Sequence, residues 1–197
     1  MPNHRLFLAI KLPRELLAQL HSYQEQLNPQ IFRIVEEDKL HLTLIFLGYV
    51  EEEKIKKIQD IALEITQNFQ PPLIQFLATA YGPARAGGPN PKFPRLIWLE
   101  GSPNHGLEQL KKALEKEFLT KAKIDLKEEN RLFLPHITLA RIKTSLPNNL
   151  PPETKINTKM NFSFAPPSLW LMESHLHKEG AQYIDLEEFR FKNYLKK

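Results

Sequence analysis

The chain has 197 residues, 42% of them hydrophobic and 25% charged, which is typical of a globular protein and excludes a disordered or fibrous one. It contains no cysteine, which excludes disulfides, thiol nucleophiles and cysteine-ligated metal sites. The formal net charge of +4 and the pI of about 9.2 favour anionic partners such as phosphates, but they do not identify nucleic acid.

The first half of the chain alternates between short apolar runs and helical periodicity. The runs predict strands at residues 5–12, 31–35, 41–47, 73–81 and 95–99. Apolar stripes at helical spacing predict three helices: one after Pro13, one opened by the acidic residues 51–53, and one whose stripe begins at Leu107. Residues 82–94 are rich in glycine and proline, so they predict a loop and mark the best candidate for a divide between two lobes.

The second half is mostly strands. Strands are predicted at residues 135–142, 161–164, 169–175 and 183–186, with Gly180 in the turn between the last two. Residues 145–158 predict an exposed loop, and the basic tail 191–197 is expected to fray. This order predicts an α+β fold, organised as one domain over residues 1–197, rather than a repeating βα pattern.

The apolar run at the N-terminus is too short for a signal peptide, because Lys11 and Pro13 interrupt it. No apolar stretch approaches the length of a membrane span. We therefore expect a soluble, cytoplasmic protein with no membrane partner.

One four-residue pattern occurs twice, as His41-Leu42-Thr43-Leu44 and as His136-Ile137-Thr138-Leu139. In a strand, each histidine shares a face with the threonine two positions on, while the apolar residues between them can enter the core. Chance predicts roughly 0.3 His-x-Thr pairs in such a composition, so two copies in matched contexts indicate a paired function. Nearly half the chain separates the copies, so each can belong to one lobe and face the other across a cleft.

Two such units suit the hydrolysis of a cyclic phosphodiester. A base must activate water and an acid must protonate the leaving oxygen, and histidine serves either role because its pKa lies near neutrality. His41 and His136 on opposite sides of the phosphorus can act in line, while the hydroxyls of Thr43 and Thr138 donate hydrogen bonds to the non-bridging oxygens. This chemistry requires no metal and no cofactor.

A single His-x-Thr strand is more often an ordinary half-exposed strand face than a functional site. Only the matched pair favours a functional site. A zinc site is the weaker alternative, because zinc needs three or four ligands. His175 and His177 lie at strand spacing but stand next to an apparent turn, where we interpret them as exposed polar residues.

The chain resembles the 2H phosphoesterase superfamily and, within it, the RNA 2′,3′-cyclic phosphodiesterases, also called 2′-5′ RNA ligase-like proteins. The similarity extends over nearly the whole chain, in the segments RLFLAIKLP, HLTLIFLG, PRLIWLEG, RLFLPHITLAR and LMESHLHKEGAQYIDL. It implies a bilobal fold with two antiparallel sheets facing a central cleft and with helices outside.

The resemblance also implies an activity, the hydrolysis of a 2′,3′-cyclic phosphate at an RNA end to a 2′-phosphate. His41 would donate a proton to the leaving 3′ oxygen, His136 would accept a proton from water, and Thr43 and Thr138 would bind the phosphate. The expected partners are RNA ends or nucleotides that carry a 2′,3′-cyclic phosphate, and the expected state is a monomer.

Two positions depart from the family pattern. Ile45 and Leu134 stand where relatives often have basic residues, so Arg131 and Arg141 are the candidates to supply the missing contacts with phosphate. On strict alternation Arg141 points away from His136, so a strand end or a bulge is needed to bring it in. The same alternation places Phe46 on the face opposite His41, which favours core packing over base stacking.

Three other functions remain open at this point. The substrate can instead be a 2′-5′ oligonucleotide, a small cyclic nucleotide or ADP-ribose cyclic phosphate. The cleft can also belong to a non-catalytic RNA- or nucleotide-binding module, although permanent charges would serve pure binding better than histidines. The same acid–base pair can run in reverse and join RNA ends through a 2′-5′ bond.

Overall fold

A computed structural model describes residues 3–82, 94–126, 132–143, 156–177 and 180–192. Within these ranges the helices and strands are β1 Asn3–Lys11, α1 Arg14–Gln24, β2 Phe32–Ile34, β3 His41–Glu51, α2 Glu52–Thr66, β4 Ile74–Tyr81, β5 Leu96–Gly101, α3 His105–Glu117, β6 His136–Ile142, β7 Lys159–Phe164, β8 Ser168–His177 and β9 Gly180–Arg190. The three predicted helices and all of the predicted strands are present. The predicted loops 82–94 and 145–158 and the tail 191–197 lie mostly outside the described residues.

The strands form an antiparallel sheet in the order β7-β4-β5-β6-β3-β1-β8-β9, with β2 paired to β6 as well. The α+β class is confirmed, but the two sheets expected from the resemblance are joined into one. The junction between β3 and β6 is a single residue pair, Leu42 opposite Ile137. Beyond it β3 diverges from β6, and β2 takes its place along β6 from Phe32–Ile142 to Ile34–Ala140. The two halves are thus hinged on one short contact and splay apart on either side of a cleft.

One face of the sheet is covered by the helices. Each helix presents an apolar stripe to it, as the periodicity predicts: Leu16 and Leu20 of α1, Ile58 of α2, and Leu107 and Leu110 of α3 are fully buried. Asn104 begins α3 by accepting a hydrogen bond from Leu107 N at 2.8 Å, which satisfies one of the free N–H groups of the first turn. The buried side chains on this face form one continuous cluster across both halves of the sheet, while Phe7, Ala9 and Met172 form a second, small cluster. The opposite face is left to the cleft.

β9 is much longer than the predicted strand 183–186. Its eleven residues pair with β8 along their whole length, although Phe189 alone among them is buried. An edge strand has one partner and little buried surface, so it carries many polar residues. Its apolar pattern, from which the strand was predicted, is therefore shorter than the strand itself. No helix in the described parts of the chain is long and apolar enough to cross a membrane.

Candidate active site

The pairing of Leu42 with Ile137 organises the site. Both side chains are fully buried on the helix-covered face. Because neighbouring residues in a strand point to opposite faces, the residues on either side of this pair all point into the cleft. These are the four polar side chains of the two motifs, His41, Thr43, His136 and Thr138.

The antiparallel register makes this group nearly symmetric. A residue before Leu42 lies opposite a residue after Ile137, so His41 is adjacent to Thr138 across the strands, and Thr43 is adjacent to His136. The cleft therefore holds two equivalent imidazole–hydroxyl pairs related by an approximate twofold through the junction of the two halves.

Both histidines are held in the same tautomer. Nδ1 of His41 lies 2.8 Å from the carbonyl oxygen of Lys39, and Nδ1 of His136 lies 2.9 Å from that of Leu134. A carbonyl oxygen only accepts hydrogen bonds, so Nδ1 carries the hydrogen and donates in both rings. Nε2 is left as the nitrogen of each ring that can take up or release a proton.

Aromatic side chains fix the two rings differently. The ring of Trp98 stacks on His136 with 3.8 Å between centroids and 23° between planes. Tyr183 meets His41 edge-on at 5.0 Å, and Phe7 lies 5.1 Å from the same ring. Phe7 and Tyr183 come from β1 and β9, whereas Trp98 comes from β5, so each half of the sheet supports its own histidine.

Burial lowers the pKa of His41, because removing the imidazolium from water disfavours its charge. The hydrogen bond to Lys39 opposes this effect, and the positive charge of His136, when present, adds to it. The two imidazoles are thus close enough for the charge of His136 to affect the pKa of His41. A site in which two groups share one proton requires such a coupling.

A bulge in β3 corrects the prediction for Phe46. Leu8 pairs with Ile45 and Ala9 pairs with Thr43, so Leu44 is the extra residue of the bulge. Leu44 and Ile45 are therefore both buried, and Phe46 returns to the cleft face, where its side chain is 64% exposed. The placement of Phe46 in the core was wrong. Ile45 is 3% exposed and belongs to the core cluster.

A second bulge acts on Arg141. Ile97 pairs with Ala140 and Trp98 pairs with Thr138, so Leu139 is the extra residue in β6. Arg141 consequently lies on the cleft face, opposite Leu96. It follows Thr138 by three residues, so it lies on the side of the junction that is nearer to His41 than to His136. Arg131 lies outside the described residues.

Beside the histidines the cleft widens into a cavity of about 640 Å³. Its wall carries the motif residues Thr43 and His136, and it is otherwise rich in apolar and aromatic side chains: Phe7, Phe46, Tyr81, Trp98, Phe133 and Leu134. An aromatic wall next to two acid–base groups suits a ligand with a flat ring beside a phosphate. No group of three or more His, Asp or Glu side chains arranged to hold a metal ion occurs in the described parts of the chain.

Three residues of this region were missed by reasoning from the sequence. Trp98 lies in the segment PRLIWLEG, whose similarity to the family was the available signal. Glu100, which pairs with His136 across the strands, lies in the same segment. Arg33, which pairs with Arg141, gave no signal, because its place depends on strand register.

Comparison with known proteins agrees with this geometry. A profile described as LigT-like phosphoesterase matches residues 10–92. The Escherichia coli protein named RNA 2′,3′-cyclic phosphodiesterase is 33% identical over 187 residues, which cover 94% of this chain and 95% of the relative.

Two crystal structures share the fold across nearly the full length. A Thermus thermophilus protein superimposes with a TM-score of 0.77 at 26% identity and covers 97% of this chain and 100% of its own. E. coli LigT complexed with 3′-AMP does so with a TM-score of 0.68 at 27% identity, over 97% and 99% of the two chains. With paired His-x-Thr strands across a cleft and a third of its residues identical to the E. coli enzyme, the chain belongs to the LigT-like phosphoesterases of the 2H superfamily.

Proposed function

We propose that this protein is an RNA 2′,3′-cyclic phosphodiesterase in which His41 and His136 open the cyclic phosphate by general acid–base catalysis. The observation that carries the proposal is the shared tautomer of the two histidines. Each Nδ1–H donates a hydrogen bond to a backbone carbonyl, so Nε2 is the nitrogen of each ring that is free for proton transfer. A neutral ring can then accept a proton at Nε2, and a protonated ring can donate one from the same atom.

The reaction needs one histidine in each state. His136 Nε2 takes a proton from water, and the water oxygen attacks phosphorus. The bond from phosphorus to the 3′ oxygen breaks on the opposite side, and His41 Nε2 gives its proton to that oxygen. The products are a 2′-phosphate and a free 3′-hydroxyl, and the next cycle begins after the two histidines exchange one proton through solvent.

Thr43 and Thr138 are assigned to the non-bridging phosphate oxygens. Their hydroxyls lie on the cleft face, each across the strands from the histidine of the other motif. Hydrogen bonds from two such hydroxyls stabilise the negative charge that increases at phosphorus in the transition state. The assignment of His41 as donor and His136 as acceptor follows the family pattern, since the site itself is nearly symmetric.

The test is hydrolysis of a short RNA that ends in a 2′,3′-cyclic phosphate, with EDTA present and with the product identified by mass and phosphatase sensitivity. We expect a 2′-phosphate, and we expect His41→Ala and His136→Ala each to lower kcat by about 10²–10⁴-fold. His21→Ala is the matched control, because His21 is exposed on α1. Full activity in either site variant would contradict the mechanism, and tight RNA binding without turnover would favour a binding module.

Hydrolysis of 2′-5′ oligonucleotides or small cyclic nucleotides and the reverse ligation use the same two histidines, and the same assay with those substrates measures them. The cytoplasmic location and the monomeric state expected from the sequence stay predictions.

A further inference from the structure

Glu100 places a carboxylate on the wall of the cavity beside the histidines. It lies directly opposite His136 in the pairing of β5 with β6, so the two side chains share the cleft face, with Cβ atoms about 5 Å apart. Trp98, on the same strand, stacks on the ring of His136. Because Glu100 and His136 are neighbours, one nucleotide can contact both, the histidine with its phosphate and the carboxylate with its base.

The charged side chains on this wall differ in what they contact. Arg5 donates a hydrogen bond to Oγ of Ser174 at 2.8 Å, and Lys111 of α3 forms an ion pair with Glu115. Within the described parts of the chain, the half-buried carboxylate of Glu100 has neither a hydrogen bond nor an ion pair. Its oxygens are therefore available to accept hydrogen bonds from a ligand.

A base that fills the cavity must replace the water around this carboxylate. Phe46, Tyr81 and Phe133 line the same cavity, so a flat ring that packs among them excludes solvent from Glu100. A carboxylate that loses its water is destabilised unless the ligand supplies hydrogen-bond donors. The base should therefore present N–H groups, and not carbonyl oxygens, to Glu100.

The four RNA bases differ in the edge that they can turn to a carboxylate. Guanine has two adjacent donors, N1–H and N2–H, which match the two oxygens of a carboxylate. Adenine and cytosine have an acceptor nitrogen beside the amino group, and uracil has a carbonyl oxygen on each side of N3–H. We propose that Glu100 accepts two hydrogen bonds from guanine and thereby selects RNA ends whose terminal nucleoside is guanosine. This inference rests on the proposed function, because the histidines must hold the cyclic phosphate for its base to enter the cavity.

Hydrolysis of the four nucleoside 2′,3′-cyclic phosphates measures the selection. The wild-type enzyme should have a kcat/KM for the guanosine substrate about tenfold or more above the values for the other three, as expected from one bidentate contact with a base. Glu100→Gln replaces one acceptor oxygen by an NH2 group and should remove this preference. Equal values of kcat/KM for the four substrates in the wild-type enzyme would overturn the proposal.

Two modified bases separate the two hydrogen bonds. Inosine 2′,3′-cyclic phosphate lacks the N2 amino group, and the 1-methylguanosine substrate lacks N1–H. The wild-type enzyme should have a KM about tenfold higher for each than for the guanosine substrate, whereas Glu100→Gln should have similar KM values for guanosine and inosine. A wild-type enzyme with the same KM for all three would exclude a contact between Glu100 and this edge of guanine.

A substrate without a base separates base recognition from an effect on His136. Ribose 2′,3′-cyclic phosphate has no edge to contact Glu100, so Glu100→Gln should change its kcat/KM by less than about twofold. An equal fall in kcat for this substrate and for the four nucleosides would make Glu100 a positioning residue for His136 and overturn its role in selecting the base.

Asp125→Asn is the matched control for charge. Asp125 also lines the cavity, but it is exposed and does not lie on β5 beside His136. The variant should retain the preference for guanosine. Loss of that preference in Asp125→Asn as well would show that the charge of the cavity, and not Glu100, selects the base. Thermal unfolding of each variant separates a loss of fold from a loss of selection.

A binding measurement distinguishes this proposal from the proposed function. Guanosine 2′-phosphate, the product of the proposed reaction, and adenosine 2′-phosphate are titrated by calorimetry into the wild-type protein and into Glu100→Gln. Tighter binding of the guanosine nucleotide that is lost in Glu100→Gln, in a protein that opens no cyclic phosphate, would support the base contact and overturn the proposed chemistry. Hydrolysis of all four substrates, with equal Kd values for the two nucleotides, would overturn the base contact and leave the phosphodiesterase activity intact.

Discussion

Leu42 and Ile137 form the single residue pair between β3 and β6 in the described ranges, and this pair places the two motifs in a common site. Both side chains are fully buried, so they anchor the junction to the helix-covered core. The histidines and threonines that flank them have no other position available than the cleft face. A slip of one residue in this register would turn all four polar side chains toward the core.

The titration of His41 is the first prediction. Burial lowers its pKa below the ordinary value of about 6.5, and the charge of His136 adds to this effect. We expect the ring of His41 in the free enzyme to titrate below that value in an NMR experiment. His136→Gln removes one cause and should raise the midpoint, and a bound nucleotide monophosphate, being anionic, should raise it as well.

The same shift has a kinetic consequence. If His41 is the donor it must be protonated, so kcat/KM should decline as pH rises through a pKa below about 6.5, while kcat should persist to higher pH because the bound phosphate favours the imidazolium. A midpoint for His41 at or above about 6.5 in the free enzyme, or no response to His136→Gln, would contradict the coupling.

Phe46 is predicted to stack on the nucleobase. Its ring is 64% exposed on the cleft wall, 6.1 Å from Phe7, so little folding energy depends on it. Stacking contributes about 1–3 kcal/mol per base, so Phe46→Ala should raise the KM for a nucleoside 2′,3′-cyclic phosphate about tenfold with little change in kcat.

Two comparisons isolate this stacking. Tyr49→Ala removes a ring of similar exposure, 70%, that does not line the cavity, and should leave KM unchanged. Ribose 2′,3′-cyclic phosphate has no base, so Phe46→Ala should not affect its hydrolysis. An unchanged KM for the base-bearing substrate would contradict stacking of Phe46 on the nucleobase.

Gly82 is predicted to matter for catalysis through Trp98. A Cβ atom on Gly82 would lie 2.8 Å from Cε2 of the indole and 2.9 Å from Cβ of Leu96, closer than real contacts allow, so β5 and the ring that it carries must shift. The indole stacks on His136, and displacing the imidazole by a fraction of an ångström should lower kcat by at least about tenfold. Gly106→Ala, at the start of α3, serves as a comparison, and full activity of Gly82→Ala would rule out a positioning role for Trp98.

Gln24 is predicted to stabilise the bulge that aims Arg141. This buried side chain donates from Nε2 to the carbonyl oxygens of Val35 and Leu139, both at 2.8 Å. Gln24→Leu leaves those acceptors without the amide, which should lower the free energy of unfolding by about 1–3 kcal/mol. Chemical denaturation measures this loss. Gln26→Leu, whose amide bonds only to the exposed carbonyl of Ser22, is the control and should change stability by less than about 0.5 kcal/mol.

The helices, the strands and the paired histidine motifs were predictable because their signals are local. An apolar stripe at helical spacing predicts the helix that contains it, and a His-x-Thr pattern predicts which side chains share a face of its strand. The prediction for Phe46 failed because alternation assumes a regular strand. The bulge at Leu44 depends on the register with β1, which no window of sequence contains.

The sequence by itself determined the class of fold, the paired motifs and the chemistry that two histidines and two threonines can perform, since these follow from residue type and spacing. Only the tertiary structure decided that Leu42 meets Ile137, that Trp98 stacks on His136, and that Arg33 stands beside Arg141. Each of these contacts joins residues far apart in the chain. Their partners are chosen by the burial of the whole core and by strand register, which is a property of the assembled sheet and not of any one segment.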